Sequence, residues 1–262
     1  MEIIGRISKG TKMDQIYLPK NRGGFASGEY VLITPLKQSG EKEKRFKPYF
    51  YGVKNLEVIK LRTIEEIFGL VNQSIEPENI IITGSFLEQG FGFNDIDILV
   101  LAERKANTER ISEKIKSQIG IKPHIILMGT KSLISGLSSD PLYNLMLSKC
   151  VSLKRIIFNV KRKINYKILD LILLKSKTLI DNFEILNGKE KYYLTLNMVS
   201  VLLFIQGKKL SKEIVNKEIG RLLKVDAENI RENMINREFL REYKKVYSQT
   251  FNLIMESIKH EK

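Results

Sequence analysis

The residues best suited to chemistry in this sequence lie between Gly84 and Asp97. An apolar run over residues 80–83 ends in Gly84-Ser85, nine residues follow, and Asp95 and Asp97 then begin a second apolar run. Because alternate side chains of an extended strand point to the same face, we expect the two carboxylates on one face, about 6–7 Å apart along the backbone. Closely spaced carboxylate oxygens are ligands that Mg²⁺ prefers. The spacing therefore predicts a metal-dependent site for phosphoryl or nucleotidyl transfer.

The surrounding sequence predicts the elements that must hold these residues. Residues 80–83 and 96–101 are typical of buried strands, residues 107–119 of a charged amphipathic helix, and residues 122–128 of a third strand. An alternation of this kind predicts a small mixed β-sheet covered by helices, in the α+β class.

The pattern apolar-Gly-Ser, nine residues, Asp-apolar-Asp-apolar resembles the signature of the DNA polymerase β-like nucleotidyltransferase superfamily, in its minimal form. The resemblance covers residues 79–130. It implies that Gly84 and Ser85 hold the triphosphate of a bound NTP, and that Asp95 and Asp97 bind Mg²⁺, or alternatively Mn²⁺, at the α-phosphate. Backbone N–H groups at a helix start attract phosphate, and two metal ions can clamp the attacking and leaving oxygens.

A simpler interpretation of the same residues stays open. Gly84-Ser85 is then only a turn, and Asp95 and Asp97 only begin a strand. Asp-x-Asp alone is a weak signal, whereas the complete pattern favours the nucleotidyltransferase fold.

One position departs from the superfamily pattern, in which a later strand carries a third carboxylate. The candidate position holds His124, in the predicted strand over residues 122–128. Neutral imidazole can act as a base or bind a softer metal, but it is a poor ligand for Mg²⁺. His124 therefore replaces the carboxylate as a catalytic residue, or the alignment is shifted by a residue or two, or catalysis is weak or lost. A histidine without a functional role is a further alternative.

The charge of the chain is unevenly distributed. The net charge is +14, with +7 in residues 1–63, −4 in residues 64–130 and +11 in residues 131–262. Between residues 149 and 178 there are nine Lys or Arg residues and a single Asp. Basic flanks around an acidic segment favour polyanions, although lysine-rich surfaces also serve solubility. We therefore expect a nucleic-acid partner, DNA or RNA, in addition to the NTP.

The N-terminal segment predicts two short strands, over residues 16–20 and 29–34, joined by a turn-rich connection. The motifs Ile16-Tyr-Leu-Pro-Lys20 and Gly28-Glu29-Tyr-Val31 resemble the AbrB-like swapped-hairpin DNA-binding family. That resemblance implies a homodimer whose basic side chains meet DNA phosphates. The candidate residues are Lys9, Lys12, Lys20 and Arg22. A plain small β module is the alternative.

These observations predict a chain of three parts. Residues 1–62 form a basic β-rich module, residues 63–135 the nucleotidyltransferase core, and residues 136–262 an all-helical domain. Thr63 is the predicted N-cap of the first core helix, and Asp140-Pro141 predicts a helix start with an Asp cap. The segment from Asp140 to Leu153 resembles the helix that follows the core in minimal nucleotidyltransferases. Further helices are predicted over residues 168–180, 192–205, 211–224 and 239–258.

Composition limits the class of protein. With 43% hydrophobic and 28% charged residues, the chain is expected to fold. Its single cysteine, the lack of a signal-peptide pattern and the lack of a run long enough to span a bilayer predict a cytoplasmic protein.

The favoured function is Mg²⁺-dependent transfer of a nucleoside monophosphate from an NTP to a hydroxyl acceptor on a nucleic acid, a protein or a small molecule. One alternative is a DNA-binding regulator with a catalytically inactive nucleotidyltransferase fold. Another is a component of a toxin–antitoxin pair.

Overall fold

The computed structural model describes residues 7–17, 30–31, 33, 47–103, 106–158 and 160–260. The chain divides into two compact units, Met1–Lys42 and Glu43–Lys262.

The first unit contains a two-stranded antiparallel sheet of β1 (Ile7–Ser8) and β2 (Gln15–Ile16). Of the strand predicted over residues 16–20, the structure describes Ile16, which belongs to β2, and Tyr17, which follows β2. The turn over residues 21–28, with Lys20 and Arg22, lies outside the described residues. The described residues 30, 31 and 33 belong to no strand, while Lys9 and Lys12 are exposed.

The second unit is built on a five-stranded mixed sheet with strand order β3-β7-β4-β5-β6. Strands β5 and β6 are parallel, and the other neighbouring pairs are antiparallel. The strands are β3 (Tyr49–Tyr51), β4 (Asn79–Thr83), β5 (Asp95–Leu101), β6 (Lys122–Met128) and β7 (Cys150–Ser152). The predicted mixture of helices with a mixed sheet is confirmed.

Nine α-helices occur among the described residues. They are α1 (Val58–Ser74), α2 (Thr108–Ile119), α3 (Thr130–Ser139), α4 (Pro141–Ser148), α5 (Tyr166–Asp181), α6 (Gly188–Ile205), α7 (Lys212–Leu223), α8 (Ala227–Arg231) and α9 (Arg237–His260). None of these helices is long and apolar enough to cross a membrane.

The two faces of β5 pack against different helices because its side chains alternate. Ile96, Ile98 and Val100 are buried in a cluster with side chains of α1 and α2. Leu99 and Leu101 are buried on the opposite face, with side chains of α3 and α4. Asp95 and Asp97 lie on the same face as Leu99 and Leu101, at the start of the strand. The two carboxylates are therefore only a few residues from the buried core.

The helices after the sheet form a separate apolar cluster. It consists of residues from α5 to α9, among which Tyr192, Leu202, Phe239 and Tyr243 are almost fully buried. Helix α6 begins with a capping box in which Asn187 and Glu190 exchange side-chain-to-backbone hydrogen bonds. The predicted helices over this part of the chain are confirmed, as is the Asp140 cap of α4, whose side chain accepts from the Leu142 amide.

Two sequence-based predictions are wrong. Thr63 does not cap a helix but lies inside α1, where its hydroxyl donates to the Ile59 carbonyl. The segment from Asp140 to Leu153 is not one helix, because α4 ends at Ser148 and Cys150–Ser152 is a strand between β3 and β4. The sheet thus includes strands from both sides of residues 63–135.

Candidate functional site

Asp97 lies in the sheet between Thr83 of β4 and His124 of β6. The Nδ1 atom of His124 is 3.0 Å from Asp97 Oδ1. Asp95 lies two residues earlier on the same face, opposite Lys122. The structure therefore brings His124 beside Asp97, on the strand that the sequence predicted over residues 122–128.

Gly84 lies in direct contact with the Asp97 carboxylate. Its φ is +86°, and a Cβ atom built on it would lie 2.1 Å from Asp97 Oδ2. Only a glycine allows this backbone conformation and this distance together. The predicted strand-to-helix turn is a single 3₁₀ turn, Ser85–Leu87, and not a longer helix. The exposed Ser85 hydroxyl forms no hydrogen bond with a described residue.

The Thr83 hydroxyl ties the end of β4 to the end of α4. It donates to the carbonyl oxygens of Met146 and Lys149, at 2.8 and 3.1 Å. Helix α4 thereby ends directly beside the Gly84 turn.

A buried lysine holds the connection between Gly84 and Asp95. Lys60 of α1 is 1% exposed, and its ammonium donates to the carbonyl oxygens of Glu88 and Gly90. It also forms an ion pair of 3.0 Å with Glu57, whose carboxylate accepts from the Gly90 amide at 2.7 Å. The Lys60 ammonium lies 5.3–5.8 Å from the ring centroids of Phe86, Phe91 and Phe93. Because a buried charge is stable only with such partners, Lys60 fixes the conformation of this loop.

Two further lysines converge on Glu88. Lys149 Nζ lies 2.6 Å and Lys212 Nζ 2.7 Å from its carboxylate oxygens. Burial raises the pKa of the Glu88 carboxyl, but the hydrogen bonds and charges of the two lysines lower it by more, so that this pKa lies below its ordinary value. Lys212 is the first residue of α7. Glu88 therefore connects the loop after Ser85 with the helical cluster.

The carboxylates fit a hard divalent cation only as a partial ligand set. Among the described residues, no group of three or more His, Cys, Asp or Glu side chains could hold a metal ion. Mg²⁺, however, is commonly bound by one or two carboxylates, with water and substrate phosphates as the remaining ligands. Asp95 and Asp97, on one face of β5, can provide the two carboxylate ligands that the protein would have to supply.

The sequence interpretation missed the residues that support the loop. They are Glu57, Lys60, Glu88, Lys149 and Lys212. Lys60 could have been found, because it lies four and seven residues before Ile64 and Ile67, on the apolar face of its helix. The pairing of Glu88 with Lys212 has no local signal, since the two residues are 124 positions apart.

Comparison of the chain with protein-family models, with curated proteins and with solved structures gave no match.

Proposed function

We propose that this chain is a metal-dependent nucleotidyltransferase with a polymerase β-like core. It transfers a nucleoside monophosphate from an NTP to an acceptor hydroxyl and releases pyrophosphate. One observation carries the proposal: Asp95 and Asp97 share one face of β5, and the backbone of Gly84 contacts the Asp97 carboxylate where a side chain could not fit.

The first role in this proposal is to hold the nucleotide. Asp95 and Asp97 would bind Mg²⁺ or Mn²⁺, which would neutralise charge on the triphosphate. The Gly84 and Ser85 backbone lies beside these carboxylates, and the exposed Ser85 hydroxyl is available to a phosphate oxygen. The acceptor oxygen forms a bond to the α-phosphorus while the bond to pyrophosphate breaks.

The second role is to accept the proton of the attacking hydroxyl. When His124 donates Nδ1–H to Asp97, its Nε2 atom carries an unprotonated lone pair. The imidazole is largely exposed, so an acceptor can reach it. His124 then serves as the general base in place of a third carboxylate.

The test is transfer from each α-labelled NTP with Mg²⁺ or Mn²⁺, in the presence of total RNA, DNA and cell protein. We expect the wild-type chain to label one acceptor class and Asp97→Asn to lose the label. The matched control is Asp226→Asn, a change at an exposed helix N-cap where asparagine is equally suitable. Thermal unfolding curves of both variants check that each of them is folded. Full transfer by folded Asp97→Asn would show that the site assignment is wrong.

A second candidate is a DNA-binding regulator with an inactive nucleotidyltransferase fold. His124 supports this candidate, because the resemblance expects a third carboxylate at its position, and its imidazole contacts Asp97 instead. The two candidates differ in ligand-linked stability. The enzyme should gain thermal stability from NTP only when Mg²⁺ or Mn²⁺ is present, whereas the regulator should show no metal-linked gain.

A further inference from the structure

A groove of about 1000 Å³ lies away from the carboxylates, and none of its lining residues belongs to the candidate site. One wall is a face of α3 that includes Lys131, Ser135 and Ser138. The other wall is the segment 160–167, which leads into α5, and Ile258 of α9 also contributes.

The charge of the groove is of one sign. Four lysines line it and no carboxylate does: Lys131, Lys161, Lys163 and Lys167. All four are exposed, and in the described part of the chain none has an ion-pair partner. Lys149 and Lys212 differ in this respect, because both form ion pairs with Glu88. The groove therefore holds a concentrated positive charge that no ion pair among the described residues compensates.

Arg162 fixes the part of this segment that carries Lys161 and Lys163. Its guanidinium donates to the carbonyl oxygens of Phe204 and Lys208, at 2.9 and 2.7 Å, and stacks 4.7 Å from the Phe204 ring centroid. The neighbouring Lys163 amide donates to the Ser138 carbonyl at 2.8 Å. Arg162 is thus used for attachment to α6, while Lys161 and Lys163 on either side of it line the groove. Because the backbone of these two lysines is already fixed, less conformational entropy is lost when a ligand binds.

The groove also has surfaces suited to bases. Tyr166 lines it, together with the apolar side chains of Ile134, Val160 and Ile164. Proteins that bind single strands combine a basic groove that follows the backbone with aromatic and apolar side chains against the bases. A concave surface suits a single strand better than it suits a flat bilayer.

We propose that this groove binds single-stranded nucleic acid, with the four lysines on its phosphodiester backbone and Tyr166 against its bases. The proposal concerns binding alone and does not require an active carboxylate site. The strand can be the acceptor of the transfer reaction or a separate ligand.

The experiment is fluorescence anisotropy with a labelled single-stranded RNA, the DNA strand of the same sequence, and the corresponding duplex, at several salt concentrations. The test variant is Lys161→Ala/Lys163→Ala. The control is Lys217→Ala/Lys244→Ala, which removes equal charge from exposed positions on α7 and α9. Asp97→Asn is included as a variant with an intact groove.

We expect the test variant to bind a single strand about tenfold more weakly, because each lost lysine forfeits counterion release. The magnitude of the slope of log K against log salt should fall by about 1.4, at about 0.7 per phosphate contact on a single strand. The control variant and Asp97→Asn should bind like the wild type. Lysine-dependent binding of a single strand by a wild-type chain that shows no transfer would support the groove even though the proposed enzyme function fails.

Other results would overturn the proposal. These are no binding of single strands at low salt, equal losses in the test and control variants, or preference for the duplex. Stronger lysine-dependent binding to vesicles of anionic phospholipid would instead assign the groove to a membrane surface.

Discussion

At the scale of single residues, Gly84 and Asp97 form one unit of the candidate site. The positive φ of Gly84 turns the chain at the end of β4, and its missing side chain leaves room for Asp97 Oδ2. Asp97 Oδ1 faces His124 Nδ1 at 3.0 Å. The carboxylate is therefore positioned on both sides, by backbone on one and by imidazole on the other.

Replacement of Gly84 by alanine tests this packing. Gly90→Ala is the matched control, because Gly90 also has a positive φ of +77° but has nothing within 4 Å of a built Cβ. Both changes should cost about 1–3 kcal/mol of unfolding free energy from backbone strain. Gly84→Ala should cost more and should abolish any metal-dependent stabilisation by NTP, since Asp97 must move. Urea unfolding and thermal shift measure the two effects, and equal behaviour of the variants would contradict the packing argument.

At the scale of elements, the loop between β4 and β5 is held from two sides. Lys60 of α1 binds its carbonyl oxygens, and Lys149 and Lys212 bind the Glu88 carboxylate. The beginning of α7 is thus linked to the loop that follows Ser85.

The Glu88 connection should depend on pH. Because its folded-state pKa is lowered, its contribution is complete above the unfolded-state pKa of about 4.3 and is lost as the pH falls through the lower folded value. The wild-type protein should therefore have a higher melting temperature than Glu88→Gln at pH 7, and this difference in melting temperature should become smaller in acid. Differential scanning calorimetry of both proteins measures it. Glu66→Gln, at an exposed residue of α1, is the control and should show a small difference throughout. A gap between wild type and Glu88→Gln that widens in acid would reverse the assigned sign.

The elements around the carboxylates could be predicted because their signals are local. Strands β4 and β5 each contain an apolar run, and α2 has an Asn cap and a left-handed Gly120 at its end. The start of α1 had no such signal, since Glu57 makes no side-chain cap and instead accepts from the distant Gly90 amide. Strand β7 is only three residues long and follows a helical apolar pattern, so only its pairing with β3 and β4 defines it.

At the scale of the molecule, the second unit joins a sheet with helices on both faces to a helical cluster. Cys150 lies in β7, between the edge strand β3 and the central strand β4, with no exposed surface. Burial raises the pKa of its thiol to about 12. Its environment therefore reports on opening of the sheet as a whole.

The Cys150 thiol should be inert in the native protein at pH 8. Thiolate is the reactive form, and burial both suppresses it and excludes reagents. We expect reaction with a disulfide reagent to follow unfolding, at the rate measured by circular dichroism in urea. The control is Ser132→Cys in a Cys150→Ser background, which carries one exposed thiol on α3 and should react at once. Rapid stoichiometric modification of the native wild type would contradict the described burial.

The position of β7 also determines when the sheet can form during synthesis. Among the strands that the structure describes, β3 has β7 as its single neighbour, and β4 has β7 along one edge. A nascent chain that has not yet emerged past residue 152 therefore presents β4 with an open edge and β3 with no strand beside it. Open edges recruit strands of other chains. The half-translated polypeptide is consequently the form of this protein with the greatest need for a chaperone.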